Sequence, residues 1–386
     1  MHELSHEIGI HGNTDLLNNP LAVALNSRQS KTPFGNDPWV KNTVAAVQAA
    51  SDAGFTLICS LGMNTWELSL WAAAEKKCKL IILIPSEKRK SQPAYAQEIA
   101  EDFNIDPANC LWLSLPPTPG SRGAKGWWEQ RDSIAFSLAH RLYPICIRPG
   151  GNWDSLLHSP EAAAKEIMDE YKAPYPKAPK SIPILPKDFK VPEIRPWTYL
   201  THWTRRCYGP WPGETSSDYY RALAASGDDY PRSAYATLIR ILRELRIRGS
   251  SARIRGGADV VAFTAIPLDE ALGLMKWRGR FARPTFEPYG ICVDRKAAYA
   301  AGIKPVEYLP QGLASSTVPE ALQQGFGRGF WPAEAEWRAV GDVNLAEIDA
   351  QFIRIIVPTE AEVLKISHLS SFKILPIEKL YLFMPD

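Results

Sequence analysis

Between residues 21 and 148, short apolar runs alternate with longer segments whose apolar positions recur at helical spacing. The runs at 21–27, 55–61, 80–85, 110–115 and 144–148 are apolar almost throughout, as in Leu80-Ile81-Ile82-Leu83-Ile84-Pro85, which predicts strands covered on both faces. The stretches 38–53, 65–76, 93–103 and 125–141 between them read as amphipathic helices. This alternation predicts a parallel sheet flanked by helices, a Rossmann-like α/β domain whose ligands bind outside the carboxyl ends of the strands.

The pattern changes after residue 171. Pro174, Pro176, Pro179, Pro183, Pro186, Pro192 and Pro196 are interleaved with lysines, a spacing that forbids helix and suits an extended connection. Beyond it the alternation is irregular. Strand-like runs occur at 199–205, 260–264, 289–293, 305–308, 334–338 and 352–357, and one helix at 235–245 has Leu238, Ile241, Leu242 and Leu245 on a shared face. The expected organisation is therefore an α/β domain over 1–171, a Pro-rich linker over 172–196 and an α+β domain over 197–386.

Composition narrows the classes. At 386 residues the chain can bury two cores, and 44 Lys plus Arg against 42 Asp plus Glu identify no polyanion partner by global charge. No apolar run reaches membrane-spanning length and the polar, histidine-containing start carries no signal-peptide pattern. The scattered Cys59, Cys78, Cys110, Cys146, Cys207 and Cys292 read as reduced thiols of a cytoplasmic protein rather than a zinc cluster. Thirteen Trp, several in polar surroundings such as Thr201-His202-Trp203-Thr204, favour ligand stacking over core packing alone.

Candidate chemistry appears first at the chain start, where His2-Glu3-Leu4-Ser5-His6 spells a zinc-peptidase pattern. Gly9, Gly12 and Asn13 follow at once, and the position of a third histidine is Gly12, so the pattern reads as accidental and no metal is expected. At the ends of the predicted strands lie Ser27, Arg28 and Lys31, then Ser60, Gly62, Asn64, Thr65 and Glu67, then Ser86-Glu87-Lys88. Hydroxyls, helix-start amides and cations converging there suit a phosphate or ribose; the alternative is a solvated loop with helix caps.

Gly12-Asn13-Thr14-Asp15-Leu16-Leu17, Asn19-Pro20, Val23-Ala24-Leu25-Asn26-Ser27-Arg28, Gly35, Gly54 and Cys59-Ser60-Leu61-Gly62-Met63-Asn64-Thr65 resemble the Rossmann-like domain of the DNA-processing DprA family. More broadly they resemble the SLOG superfamily, which also holds cytokinin-activating LOG enzymes and nucleotide-sensing defence proteins. Asn26-Ser27-Arg28 stands where that family has G-S-R, and the LOG enzymes' P-G-G-x-G-T-x-x-E survives only as Asn64-Thr65-Trp66-Glu67. The resemblance implies a nucleotide pocket or a scaffold in place of a phosphoribohydrolase, and makes 8–13 the lead-in to the first strand.

The second domain is similar to ADP-ribosyltransferases of the histidine-to-glutamate type. His202 with Thr204 on a strand, the helix Ile241-Leu242-Arg243-Glu244-Leu245-Arg246-Ile247, Val261-Ala262-Phe263 and a late Glu336 follow that order. Val261 to Leu268, Tyr289-Gly290-Ile291 and Pro305-Val306-Glu307-Tyr308 resemble AbiGi abortive-infection proteins. The likeness implies an ADP-ribosyltransferase-like domain with NAD as substrate, Glu336 and His202 as catalytic residues, and Thr204, Arg205, Ser250, Phe263, Tyr289 and Arg338 as NAD contacts. Breaking the bond between nicotinamide and ribose builds positive charge on the sugar, which a carboxylate stabilises. His202 could equally be a strand histidine satisfied by backbone, Glu336 an ion-pair partner of Arg338, and Phe263 and Tyr289 core residues. Arg240, Arg243, Arg246, Arg248, Arg253, Arg255, Arg278, Arg280 and Arg283, with Trp277 and Phe281, suit a pyrophosphate or a nucleic-acid acceptor, or else a solvated basic face. The partners expected are a nucleotide-derived ligand, a nucleic-acid acceptor and a defence protein, with no membrane; the alternative function is a non-catalytic nucleic-acid-binding or antitoxin-like module.

Overall fold

The structure is a computed structural model describing residues 8–85, 91–116, 127–176, 196–251, 254–275, 277–278, 283–310, 312–326 and 335–379. His2 to His6, Ser86-Glu87-Lys88, most of the Pro-rich linker, Arg253, Arg280 and Phe281 lie outside them. The chain divides into two compact units: Met1–Ala178 with Tyr208–Pro231, and Pro179–Cys207 with Arg232–Asp386. The second domain is therefore not the continuous 197–386 that the sequence suggests, because Tyr208–Pro231 is part of the first unit.

The first unit holds a seven-stranded sheet. Its elements are β1 (Gly9–Gly12), β2 (Leu21–Asn26), α1 (Pro38–Asp52), β3 (Thr56–Ser60), α2 (Asn64–Glu75) and β4 (Leu80–Pro85). There follow α3 (Gln92–Phe103), β5 (Cys110–Leu115), α4 (Trp128–Leu138), β6 (Arg141–Cys146), α5 (Asn152–Leu157) and β7 (Glu166–Ile167). Strand order is β1-β5-β4-β3-β2-β6-β7. All neighbours are parallel except β1, which pairs antiparallel with β5. The lead-in is thus itself an edge strand. Alternate residues of β2 explain why every one of them is apolar or buried: Ala22 and Ala24 pack with α1, α2 and α3, while Leu21, Val23 and Leu25 pack with Phe136 of α4 and Trp153 of α5.

Helix α6 (Ser216–Ala224) completes the first face, with Tyr219, Tyr220 and Leu223 in the same core as α1 to α3. A capping box between Thr215 and Asp218 starts it. The end of this helix and the turn after it come so close to Gly35 that a Cβ there would sit 2.6 Å from Leu223 O and 3.0 Å from Ser226 N, which explains the glycine.

The second unit is an α+β body around another seven-stranded sheet. Its strands are β8 (Tyr199–Trp203), β9 (Val260–Thr264), β10 (Gly290–Asp294), β11 (Lys304–Pro305), β12 (Glu336–Val340), β13 (Ile353–Val357) and β14 (Lys373–Pro376). The order is β11-β12-β9-β8-β10-β13-β14, antiparallel except for β13 with β14. Helices α7 (Ala234–Glu244), α8 (Leu268–Gly273), α9 (Arg295–Ala300) and α10 (Glu360–Ile366) accompany it. Leu200, Val261, Phe263, Ile291 and Ile355 face one core with α7, whereas Trp203, Cys292 and Ile356 face another with Leu268 and Phe286. The run expected at 305–308 is two short strands, β11 and a separate Glu307–Pro310 that pairs with Gln323–Phe326.

Candidate functional site

The sheet of the second unit is split at its centre. Strands β8 and β10 pair along five residues, but β8 and β9 meet only at Thr201 and Thr264. Beyond that pair the strands part, and His202 reaches across the gap: its Nδ1 lies 2.8 Å from Ala262 O. A carbonyl only accepts, so Nδ1 carries the proton and Nε2 is left as an acceptor. Burial lowers the His202 pKa to about 4, so the ring is neutral near pH 7.

A cavity of about 230 Å³ opens at this split. Of the residues expected to bind NAD or act on it, His202, Thr204, Arg205, Phe263 and Glu336 line it, together with Trp203 and Phe286. The His202 and Phe263 rings meet edge to face at 5.6 Å. Glu336 starts β12 opposite Thr264, and so shares the sheet face of Thr264 and Thr201; His202 and Phe263 belong to the opposite face. The cavity collects both faces because the strands between them have separated.

Glu336 is held by a fork. Arg338 Nε and Nη2 donate to Glu336 Oε1 and Oε2 at 2.8 and 3.2 Å, and the same guanidinium donates to Ala321 O, Gln323 O and Gln324 Oε1. The Arg338 side chain is 2% exposed, so it positions the carboxylate without lining the cavity. Glu336 does pair with Arg338, but the expected surface ion pair is instead built on a buried guanidinium, which fixes the carboxylate in the cavity wall. Tyr308 Oη accepts from Glu336 N–H and ties the strand start.

Thr204 borders the cavity without offering its hydroxyl to it, and Tyr289 and Ser250 lie elsewhere. Thr204 Oγ1 is buried against the carbonyls of Ala234 and Tyr289. Tyr289 donates to Glu362 at 2.5 Å and packs on Tyr235; burial, then Glu362, raises its pKa, and it does not line the cavity. Ser250 bridges Val260, at the end of β9 away from Thr264. Trp203 and Phe286 were missed as site residues, although the Trp-bearing run around His202 was the signal for the first.

Most of the expected groups at the carboxyl edge of the first unit's sheet bond to neighbouring groups, while Asn26 Oδ1 and Gln29 Oε1 are buried without a protein partner. Ser27 Oγ accepts from Arg148 N–H, and Ser60 Oγ donates to Leu83 O. Tyr175 Oη donates to Arg28 O, Asn64 Nδ2 donates to Ser30 O, and Lys31 stands 5.4 Å from the Tyr208 ring. Glu67 accepts from Gly62 N–H and from Tyr220 Oη, so a carboxylate already occupies the start of α2. Gly62 turns there at φ +86°, and Thr65 Oγ1 is buried with no protein partner. Beneath this edge Arg131 is bound to Asp132 and to Leu61 O, with its guanidinium 4.9 and 5.1 Å from the Trp66 and Trp127 rings. Burial raises the Asp132 carboxyl and lowers Arg131, and their mutual attraction opposes both shifts.

In α7 and the turn after it, Arg240 and Arg248 pair with Glu244, and Arg246 with Asp342. Among the described residues no group of three or more His, Cys, Asp or Glu could hold a metal, and no helix is long and apolar enough to cross a membrane. Cys59, Cys78, Cys110, Cys146 and Cys292 are buried thiols, with burial pushing Cys110 and Cys292 up to about 12.

No family model matches the chain, and no curated protein matches it. Among solved structures, DNA processing protein A from Helicobacter pylori, described for its single-stranded DNA binding, is 16% identical over 39% of this chain and 64% of its own, with a TM-score of 0.29. Its counterpart DprA from Streptococcus pneumoniae is 15% identical over 42% of this chain and 63% of its own, with a TM-score of 0.30. The molybdenum cofactor carrier protein from Chlamydomonas reinhardtii is 15% identical over 39% and 74%, with a TM-score of 0.25. The chain spans less than two thirds of either DNA processing protein.

Proposed function

We propose that the second unit is an NAD-consuming ADP-ribosyltransferase-like effector, and that the first is a nucleotide-sensing or scaffolding domain, in bacterial antiphage defence. The observation that carries this reading is the convergence of His202, Arg205, Phe263 and Glu336, distant in sequence, on one cavity. At about 230 Å³ it is smaller than the ~300–1,000 Å³ of drug-sized pockets, and it suits one ring and its sugar rather than a whole dinucleotide.

The chemistry assigned to these residues is as follows. The bond between ribose C1′ and the nicotinamide nitrogen breaks, its electron pair leaves with nicotinamide, and Glu336 faces the positive charge left on the sugar. A nucleophilic oxygen or nitrogen of the acceptor then bonds to C1′ and gives up its proton. Neutral His202 accepts a hydrogen bond through Nε2, and Arg338 holds the Glu336 carboxylate in place. The alternative of a non-catalytic nucleic-acid-binding module draws on the first unit's sheet and the arginine cluster; in that cluster Arg240, Arg246 and Arg248 pair with Glu244 and Asp342, which leaves less charge for phosphate.

The test is nicotinamide release from NAD by the full chain, with RNA, DNA or infected-cell extract added, followed by mass spectrometry. Release that disappears in Glu336→Gln and His202→Ala is expected. Absence of release under every condition overturns the reading and favours the binding module.

A further inference from the structure

Two short strands outside the seven-stranded sheet hold Glu336 in place. Glu307–Pro310 pairs in parallel with Gln323–Phe326, and their register sets Tyr308 beside Gln324. Residues in register on neighbouring strands share a face, and both of these side chains reach β12. Tyr308 Oη accepts from Glu336 N–H, and Gln324 Oε1 accepts from Arg338 Nη2 at 2.6 Å. The strand carrying Gln324 is itself pinned by the buried Gln323. Its Nε2 donates to Ser315 O and Val318 O while its Oε1 accepts from Ser315 N–H, which closes the loop 315–323.

All five Arg338 N–H groups are donated. Nε and one hydrogen of Nη2 go to Glu336, both hydrogens of Nη1 go to the carbonyls of Ala321 and Gln323, and the second hydrogen of Nη2 goes to Gln324. Among these acceptors Gln324 is the one side chain besides Glu336, so it is the place where a substitution can change how the guanidinium lies. The fork to Glu336 is uneven, 2.8 Å at Oε1 against 3.2 Å at Oε2, and the nitrogen on its long side is the one that Gln324 holds at 2.6 Å. A guanidinium drawn toward Gln324 leaves Oε2 the more weakly bonded oxygen.

We infer that Gln324 is a positioning residue of this cavity: through Arg338 Nη2 it keeps Glu336 Oε2 weakly bonded, so that this oxygen carries the negative charge that meets the ligand. An oxygen engaged by a full fork bond has part of its charge answered by the arginine and stabilises a developing positive charge less. That the charge develops on a sugar rests on the proposed NAD reading; the hold of Gln324 on the carboxylate does not.

The experiment compares the full-length wild type with Gln324→Met, which keeps the length of the side chain and removes the acceptor, and with Gln324→Glu, which keeps an oxygen there. Gln324→Asn, too short to reach Nη2, replaces the methionine variant should that one not fold. Two quantities are read: the ¹³Cδ resonance of the Glu336 carboxylate, identified by its loss in Glu336→Gln, and kcat and KM for nicotinamide release from NAD per folded molecule. Gln324→Met is expected to move the resonance and to lower kcat roughly tenfold at unchanged KM, the size of one lost hydrogen bond, with Gln324→Glu close to wild type in both. A merely structural Gln324 would lower the yield of folded protein and leave the resonance and kcat per folded molecule alone. An unmoved resonance in Gln324→Met, an unchanged kcat beside a moved resonance, or a glutamate variant that behaves like the methionine one each overturns the inference while the NAD reading stands. If the wild type releases no nicotinamide under any condition, the NAD reading falls and the resonance alone decides: a shift in Gln324→Met that is absent in Gln324→Glu upholds the positioning role, and no shift overturns it.

Discussion

Both units place polar residues where parallel or split strands end, but they use them differently. At the carboxyl edge of the first sheet, Ser27, Ser60, Asn64 and Glu67 are bonded to nearby backbone or to Tyr220, while Asn26 Oδ1, Gln29 Oε1 and Thr65 Oγ1 are buried without a protein partner. At the split of the second sheet, a neutral histidine and a fork-held carboxylate line a cavity of about 230 Å³. A set of residues of the right types is therefore not yet a site. In the first sheet most of the expected groups are bonded to neighbouring groups; in the second, His202 and Glu336 line open volume.

The largest effect is expected at that edge of the first sheet. Asp132→Ala strands the Arg131 charge in the core and should cost about 3–5 kcal/mol in urea unfolding; a loss under 1 kcal/mol would mean the pair contributes little to that edge. Next, Glu336→Gln should lower nicotinamide release roughly 10²- to 10³-fold per folded molecule; because it also removes the counter-charge of the buried Arg338 it should lower the unfolding midpoint, and a loss of release no larger than the loss of folded protein would mean a structural role. Tyr220→Phe removes the hydroxyl donated to Glu67 and should cost about 1.5–3 kcal/mol with no change in release by the second unit.

A smaller effect distinguishes the split through pH. The His202 pKa is about 4 in the folded chain against the ordinary 6.5, so the unfolded chain binds the extra proton within that window. Stability contributed by neutral His202 is present above pH 6.5 and lost as pH falls toward 4. In His202→Asn, which can still donate to Ala262 O, the slope of stability against pH over this window should be shallower; an unchanged slope would place the titration elsewhere. Smallest is Leu245→Gly. Leu245 caps α7 at φ +49°, a left-handed position that favours glycine, and the exchange should raise stability by up to about 1 kcal/mol.

The first unit's α/β pattern was readable because its strands are buried on both faces and leave continuous apolar runs; β4 and β5 begin and end where the runs do. Strand β6 starts three residues earlier than its run, with Pro144 inside it. The ladder to β7 stops at Leu142, so Pro144 lies on a stretch with a strand on one side only, where proline is tolerated. The return of Tyr208–Pro231 to the first unit was not readable, since tyrosines in an amphipathic helix do not say which core will take them. In the second unit, His202, Phe263 and Glu336 were legible as an order of residue types. Their convergence depends on where β8 and β9 part, and that lies in tertiary geometry.

The discontinuous course of the chain bears on how this protein would come apart. A single cut within 177–195 would produce two fragments, and the second would carry Tyr219, Tyr220 and Leu223, which belong to the core of the first. Such fragments should travel together through gel filtration as a nicked complex, with α6 serving as a clasp, and part only when the protein is denatured. A protein started at Trp197 would instead present that helix to solvent with its tyrosines uncovered, so fragment assays of the second unit require either the first unit in trans or the removal of Tyr208–Pro231.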